Sequence, residues 1–271
     1  MNELRRLQET ELEILEEIDR VCKILGIEYF LNCGTALGAV RHKGFIPWDD
    51  DIDLGMMRED YNIFLEKAPA LLQSKYYLED PIHDLNCKDL IAKVRNRNTV
   101  FKETGKDDLT CNGIFVDVFP FDLLPDKQVD QKKVIKSAQI LRWLHIIRNV
   151  KKRPIAAGRS FRWRVEEYLL RIVHPLLCVF PTDYFRNKMD KCICKWNGTD
   201  SMWLTCHFDT APITMRYTDF FPLSSCSFMG KRYPIMNNTD EYLKQMYGNY
   251  MELPPEDQRI THMPEYIRFE E

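Results

Sequence analysis

Asp49, Asp50, Asp51 and Asp53 crowd four carboxylates into five positions, just after Pro47-Trp48 and downstream of the small-residue run Gly34-Thr35-Ala36-Leu37-Gly38-Ala39-Val40-Arg41. Like charges this close raise one another's pKa unless a cation or hydrogen-bond donors offset the repulsion. A divalent metal is the simplest such cation. Ile52 and Leu54 alternate with Asp51 and Asp53, which is the period of a strand, so the two aspartates share one face while the aliphatic pair buries on the other. Asp117 alternates with Ile114, Val116 and Val118 in a second strand-like run, Gly113-Ile114-Phe115-Val116-Asp117-Val118-Phe119-Pro120. If the two strands pair, Asp51, Asp53 and Asp117 converge. Oxygen ligands of that kind suit Mg2+ or Mn2+, with Mg2+ usually shared between carboxylates and substrate phosphates. The chemistry such a site serves is displacement at phosphorus, with the metal holding the attacking and leaving oxygens. A solvated acidic turn is the competing reading, and the apolar alternation inside the run argues against it.

Elements that would position these groups are legible on either side. Leu4, Leu7, Ile14, Ile18, Val21 and Leu25 follow three- and four-residue steps, with Glu11 in the one polar slot. That is an amphipathic helix, and Gly26 suits its C-terminal cap. Residues 28–33 read as a strand running into a Gly34-Thr35 turn, and a helix is predicted from about residue 58 to residue 72. Short strands are predicted over 90–94 and 99–101, and the 113–120 strand is closed by its proline. From Lys127 to about Asn197 the pattern turns helical and basic, and 242–247 reads as a short helix stopped by Gly248. The order predicts an α/β (α+β) protein whose mixed-sheet core carries a helical insertion and a helical C-terminal cover. Residues 1–125 would form the catalytic core, 126–200 a basic helical insertion, and 201–271 the part that completes the core.

The 271 residues are 45% hydrophobic and 12% aromatic, enough for a sizeable core and too apolar for global disorder. The net charge of −3 hides an uneven distribution: between Lys127 and Arg164 twelve Lys or Arg face a single acid, Asp130. Trp143, Ile146, Ile147, Phe161 and Trp163 interleave with them, and a basic amphipathic segment with aromatics reads as a membrane-surface element. Residues 127–180 are therefore predicted to dock on an anionic membrane surface. No nucleic-acid recognition motif accompanies the charge, and no nucleic acid is expected as partner. The opening Met1-Asn2-Glu3-Leu4-Arg5-Arg6 does not read as a signal peptide. The most apolar stretch, 168–180, is broken by Arg171, His174 and Pro175 and does not read as a membrane span. Nine cysteines without a framework spacing read as reduced thiols, which suggests the cytoplasm, with possible peripheral attachment to the inner membrane face.

The wording from Gly34 to Gly55, with Gly34-Thr35 at its head, Pro47-Trp48-Asp49-Asp50-Asp51-Ile52-Asp53 at its centre and Asp117 as the third strand carboxylate, closely resembles the LicD family of the nucleotidyltransferase superfamily. Lys93-Val94-Arg95 with Thr99, the 113–120 strand and Tyr247-Gly248-Asn249-Tyr250-Met251-Glu252-Leu253-Pro254-Pro255 extend the likeness, which spans roughly 10–125 and 228–262. That family includes bacterial phosphorylcholine transferases and fukutin-type ribitol-phosphate transferases. The resemblance implies a nucleotidyltransferase-like mixed sheet. It also implies transfer of a phospho-alcohol, phosphocholine-like, from a CDP-linked donor such as CDP-choline to a sugar hydroxyl of a surface glycan, with release of CMP. The acceptor would be a lipid-linked glycan such as lipopolysaccharide or teichoic acid.

Carried onto this chain, the resemblance makes Asp51 and Asp53 holders of Mg2+ (or Mn2+), with Asp49 a neighbouring acidic ligand and Asp50 facing away. Asp117 would be metal ligand or base for the acceptor hydroxyl. Gly34 and Thr35 would let backbone and hydroxyl approach the phosphates, since glycine lacks a Cβ. Arg41, His42 and Lys43 would neutralise the diphosphate, with Arg forking onto phosphate oxygens and Lys acting as a point charge. Lys93 and Arg95, on one strand face, would reach the nucleotide or diphosphate. Trp48 and Phe45 read as packing groups rather than a choline cage. Two alternatives stand beside this reading: a nucleotidyltransferase that attacks an NTP α-phosphate and releases pyrophosphate, and a non-catalytic binding protein of glycan assembly.

Overall fold

A buried stripe of Leu7, Ile14, Leu15, Ile18 and Val21 runs along α1 (Glu3–Leu25) in the computed structural model. That model describes residues 3–84, 87, 89–102, 113–149, 173–209, 212–261 and 264–270. The helix stops at Gly26, whose φ of 66° is the left-handed value a glycine cap adopts. The chain divides into two compact units, 1–122 with 202–271, and 123–201.

In the first unit the chain continues through β1 (Phe30–Leu31), α2 (Cys33–His42), β2 (Asp53–Met57), α3 (Arg58–Lys67), β3 (Tyr76–Glu79), β4 (Ala92–Asn96), β5 (Val100–Lys102) and β6 (Phe115–Leu124). The main sheet has the order β1-β2-β6-β4-β3. Only the β2–β6 pair is parallel along that path; β1–β2, β6–β4 and β4–β3 are antiparallel. A parallel pair needs a long crossover, which α3, β3, β4 and β5 supply. The result is the mixed α+β architecture expected from the sequence. Ile52, Leu54, Met56, Ala92, Val94, Val116 and Val118 are wholly buried, and the Phe30, Phe121 and Phe220 rings meet with centroids 5.0–5.4 Å apart. Beside them the Arg58 guanidinium forks onto both oxygens of Asp122 at 2.8 and 2.7 Å.

Three local expectations need correction. The strand predicted over 28–33 is only two residues long, and Cys33 (φ 44°) already begins α2. Gly34 and Thr35 therefore lie in the first turn of a helix, because Ala36, Leu37 and Ala39 behind them are helix formers that bury. The 113–120 strand is not closed by Pro120: β6 runs on to Leu124, since residues 120–124 are all buried and pairing with β2 continues to Met57 opposite Phe121. The helix begun at Arg58 ends at Lys67, where Pro69 turns the chain into a 3-10 turn over Ala68–Ala70.

The second unit holds α4 (Gln128–Asn149) and α5 (Tyr184–Ile193), packed on each other. Lys133, Lys136, Ile140 and Trp143 follow three- and four-residue steps along an exposed face of α4. Residues 150–172, including Lys151–Arg153, Arg159, Phe161, Arg162, Trp163 and Arg164 of the basic segment, lie outside the described residues. Among those described, no helix is long and apolar enough to cross a membrane. The first unit resumes with β7 (Trp203–Thr205), β8 (Met215–Arg216), α6 (Tyr217–Phe220), the hairpin β9 (Ser224–Phe228) and β10 (Lys231–Ile235), α7 (Thr239–Tyr247) and β11 (Tyr266–Arg268). β7 joins the main sheet and pairs with β8, whereas β11 returns to β5.

Candidate active site

Asp53 stands opposite Asp117 across the parallel β2–β6 pair, and Asp117 stands opposite Lys93 across the antiparallel β6–β4 pair. Two carboxylates and an ammonium thus form one row over three adjacent strands. Lys93 Nζ donates to Asp117 Oδ1 at 2.5 Å, lies 3.8 Å from an Asp89 carboxylate oxygen, and sits 3.8 Å above the Phe115 ring. The Asp53 backbone is held from both sides. Its N–H donates to Thr35 Oγ1 at 2.8 Å, and its carbonyl accepts from the Asn32 N–H at 2.9 Å. The first turn of α2 and the acidic end of β2 are therefore one hydrogen-bonded corner. A Cβ at residue 34 would come within 2.8 Å of Asp49 Oδ2, so Gly34 leaves the space that the Asp49 carboxylate occupies.

Charge in this corner is unbalanced. Burial raises Asp53 well above the ordinary carboxylate range, Asp51, Asp117 and Asp49 push it further, and Lys93 offsets part of that. Asp117 is also raised by burial, with Lys93 pulling it back. Asp49 is pushed up to about 7 by burial and then by Asp51 and Asp50, against Arg41. Asp50 is itself buried, at 7% exposure. An excess of partly desolvated carboxylate is the property a divalent cation would offset, and oxygen donors are what Mg2+ and Mn2+ take. Among the described residues no group of three or more His, Cys, Asp or Glu side chains is arranged to hold a metal ion. The fit of a hard cation rests on donor chemistry and charge.

The cationic residues singled out from the sequence separate into different settings. Lys93 is the counter-ion of Asp117. Arg95, 3% exposed, is clamped by the Glu79 carboxylate and by the Gly113 carbonyl at 2.9 Å, which makes it a structural tie. Arg41 donates to the Tyr250 carbonyl at 2.7 Å and, through Nε, to His42 Nε2 at 2.9 Å. Burial lowers the Arg41 pKa while Asp49 opposes that; burial and then Arg41 lower His42. Lys43 is the exposed member, at the left-handed C-cap of α2. Phe45 packs on Phe228, and Trp48 lies between His42 and the Arg259 guanidinium, 5.1 Å from its ring centroid.

Several residues at the site had no role in the sequence reading. Tyr242 Oη donates to Asn32 Oδ1 at 2.6 Å, beside Cys33, whose Sγ is 3.8 Å from Asp209 Oδ1. The Tyr247 hydroxyl is raised by burial and then by Cys33, Asp53, Asp49 and Asp209. Its position at the head of the 247–255 match was the available signal. On α1, burial and then Asp51, Asp50, Asp49 and Asp117 raise Glu11 well above the ordinary carboxylate range. Its signal was a charged residue in an otherwise apolar stripe.

Comparison with known proteins gives this chain a family. The family described as LicD/FKTN/FKRP, nucleotidyltransferase domain, matches residues 26–157, and that part of the chain is a LicD-family domain. The chain is 27% identical over 279 residues to the lipopolysaccharide cholinephosphotransferase LicD of Haemophilus influenzae, covering 97% of each protein. Shorter matches join it to the human ribitol 5-phosphate transferase FKRP, 44% identical over 57 residues, 21% of this chain and 11% of the relative. The mouse ribitol-5-phosphate transferase FKTN is 41% identical over 49 residues, 18% of this chain and 11% of the relative. The chain is an enzyme of the LicD phosphotransferase type.

Proposed function

We propose that the protein moves a phospho-alcohol from a CDP-linked donor to a sugar hydroxyl of a surface glycan, releasing CMP. The observation that carries the reading is the Asp53–Asp117–Lys93 row beside the buried acidic loop. The full-length likeness to a lipopolysaccharide cholinephosphotransferase supports a glycan acceptor and a phosphocholine-like group.

Asp51 and Asp53, with Asp49 beside them, would hold Mg2+ or Mn2+. When bound, such an ion supplies Lewis-acid neutralisation of the phosphoryl oxygens. The backbone N–H groups of Gly34 and Thr35, in the first turn of α2, offer the anion-binding end of a helix to the diphosphate. Asp117 is suited to take the proton of the attacking hydroxyl, and Lys93 favours its ionised form, which a base requires. Arg41 orders the tail against the site, and Lys43 is the cation of the 41–43 group best exposed to meet a substrate phosphate.

The test is CMP release from CDP-choline, CDP-ribitol and CDP-glycerol with and without Mg2+. Metal-dependent CMP from one donor supports the reading. Pyrophosphate from an NTP in place of CMP would move the protein to the nucleotidyltransferase alternative.

A lipid-linked acceptor would be met at a membrane, and α4 carries the matching chemistry. Lys132, Lys133 and Lys136 are exposed, as are Ile140, Trp143 and Ile146. Cations beside apolar side chains suit an anionic bilayer surface. Vesicles with phosphatidylglycerol should retain the protein at low salt and release it at high salt. Equal recovery on neutral phosphatidylcholine vesicles would sink this placement.

A further inference from the structure

Glu11 is 2% exposed on the core-facing stripe of α1, between Leu7 and Ile14. Its Oε2 has no hydrogen-bond partner among the described residues. Glu17, the next buried glutamate on the same helix, differs in this respect. Arg20 binds both its oxygens at 2.9 and 2.7 Å, and Gln73 donates to it through backbone and side chain. Burying a carboxylate without partners is costly, so a fold that keeps one has a use for it or a ligand to satisfy it.

The helix carries this carboxylate to the acidic loop. Gln8, three residues before Glu11 and hence on the same face, donates from Nε2 to the Asp49 carbonyl at 2.9 Å. The charges that bear on Glu11 are those of Asp51, Asp50, Asp49 and Asp117, in that order, and all are negative. Its surroundings thus add negative charge to negative charge.

We propose that Glu11 is a further carboxylate of the acidic centre, supplied by α1, whose orphan oxygen is satisfied through the water shell of a divalent cation held at Asp51 and Asp53. This rests on the metal reading of the preceding section, and it adds a residue that lies outside the Gly34–Gly55 run. It also gives α1 a part in the site beyond packing.

The test uses the 271-residue chain, stripped with EDTA and titrated with Mg2+ and with Mn2+ by calorimetry, alongside thermal melts of the metal-free form. Glu11→Gln keeps shape and removes charge. It should weaken cation affinity roughly tenfold, the scale of losing a supporting ligand partner, and the metal-free variant should melt above the wild type. Glu11→Asp, with the charge on a shorter arm, should recover part of the affinity, and it decides the question if the Gln variant does not fold. An affinity within twofold of wild type in the folded variant overturns the proposal and leaves the metal reading intact. If wild type and Asp53→Asn bind neither ion, the metal reading fails and takes Glu11's role with it.

Discussion

The acidic corner of the first unit and the basic helix α4 of the second both concentrate one sign of charge, yet they behave differently. In the corner the carboxylates are half-buried or buried, and desolvation displaces Asp49, Asp53 and Asp117 from their ordinary range. Along α4 the cations reach water, where solvent screens each from the next and an ion pair such as Lys133–Asp130, 72% and 43% exposed, contributes little. Charge density alone therefore says little about chemistry. Burial turns it into a demand for a ligand, while exposure turns it into a surface that attracts an opposite one.

The largest effect should come from the buried side of that comparison. Asp51→Asn or Asp53→Asn should cut CMP release on the order of 1000-fold or more, with the circular dichroism spectrum unchanged. Retained turnover would remove these residues from the centre. The next is structural. Arg58→Met leaves the Asp122 carboxylate buried without its fork and should destabilise the first unit by about 3 kcal/mol in urea unfolding. Removing the exposed Asp130–Lys133 pair should change stability by less than about 0.5 kcal/mol. Similar losses for the two would erase the distinction between buried and exposed charge.

Acidity gives a finer test. Burial holds His207 in the first unit and His145 in the second down at about 4, against an ordinary 6.5. Below pH 6.5 the unfolded chain binds protons that these folded rings refuse. Their contribution to stability is complete above about 6.5 and fades as pH falls through 4. Asp49 runs the other way: its folded value of about 7 lies above 3.8, so in metal-free protein its contribution is full below pH 4 and fades as pH rises through 7. Melting temperatures from pH 4 to 8 with His207→Asn, His145→Asn and Asp49→Asn should flatten the matching limbs, and a limb that survives its substitution belongs to another group. The smallest effect is on the surface. Lys132→Glu with Lys136→Glu should weaken retention on anionic vesicles, with stability held within about 0.5 kcal/mol.

Much of the centre was legible because its parts are local. Asp51 and Asp53 advertise themselves by alternation with Ile52 and Leu54, and Asp117 does so within a run of aliphatic residues. Their meeting depended on strand pairing, which the sequence poses as a condition and the Asp53–Asp117 register meets. The Gly34-Thr35 pair misled as to local structure: residue types common in turns here open a helix whose remaining residues decide the outcome. Arg95 looked available on a strand face, but Glu79 and Gly113, which fasten it, come from other segments. Glu11 was visible as an interruption in an apolar stripe. What it interrupts the stripe for is the loop at 49–51, and nothing within one helix states that.

The hydroxyl of Tyr242 reaches Asn32 across 210 residues of chain, and the carbonyl of Tyr250 receives Arg41 across 209. Closing a loop of that length costs chain entropy before the contact can reward it. On a ribosome, the aspartate loop emerges long before the tyrosines that close over its corner. Strands β1 to β6 thus leave the ribosome before the wall of the site, and a chain halted before α7 would carry every aspartate of the centre without that wall.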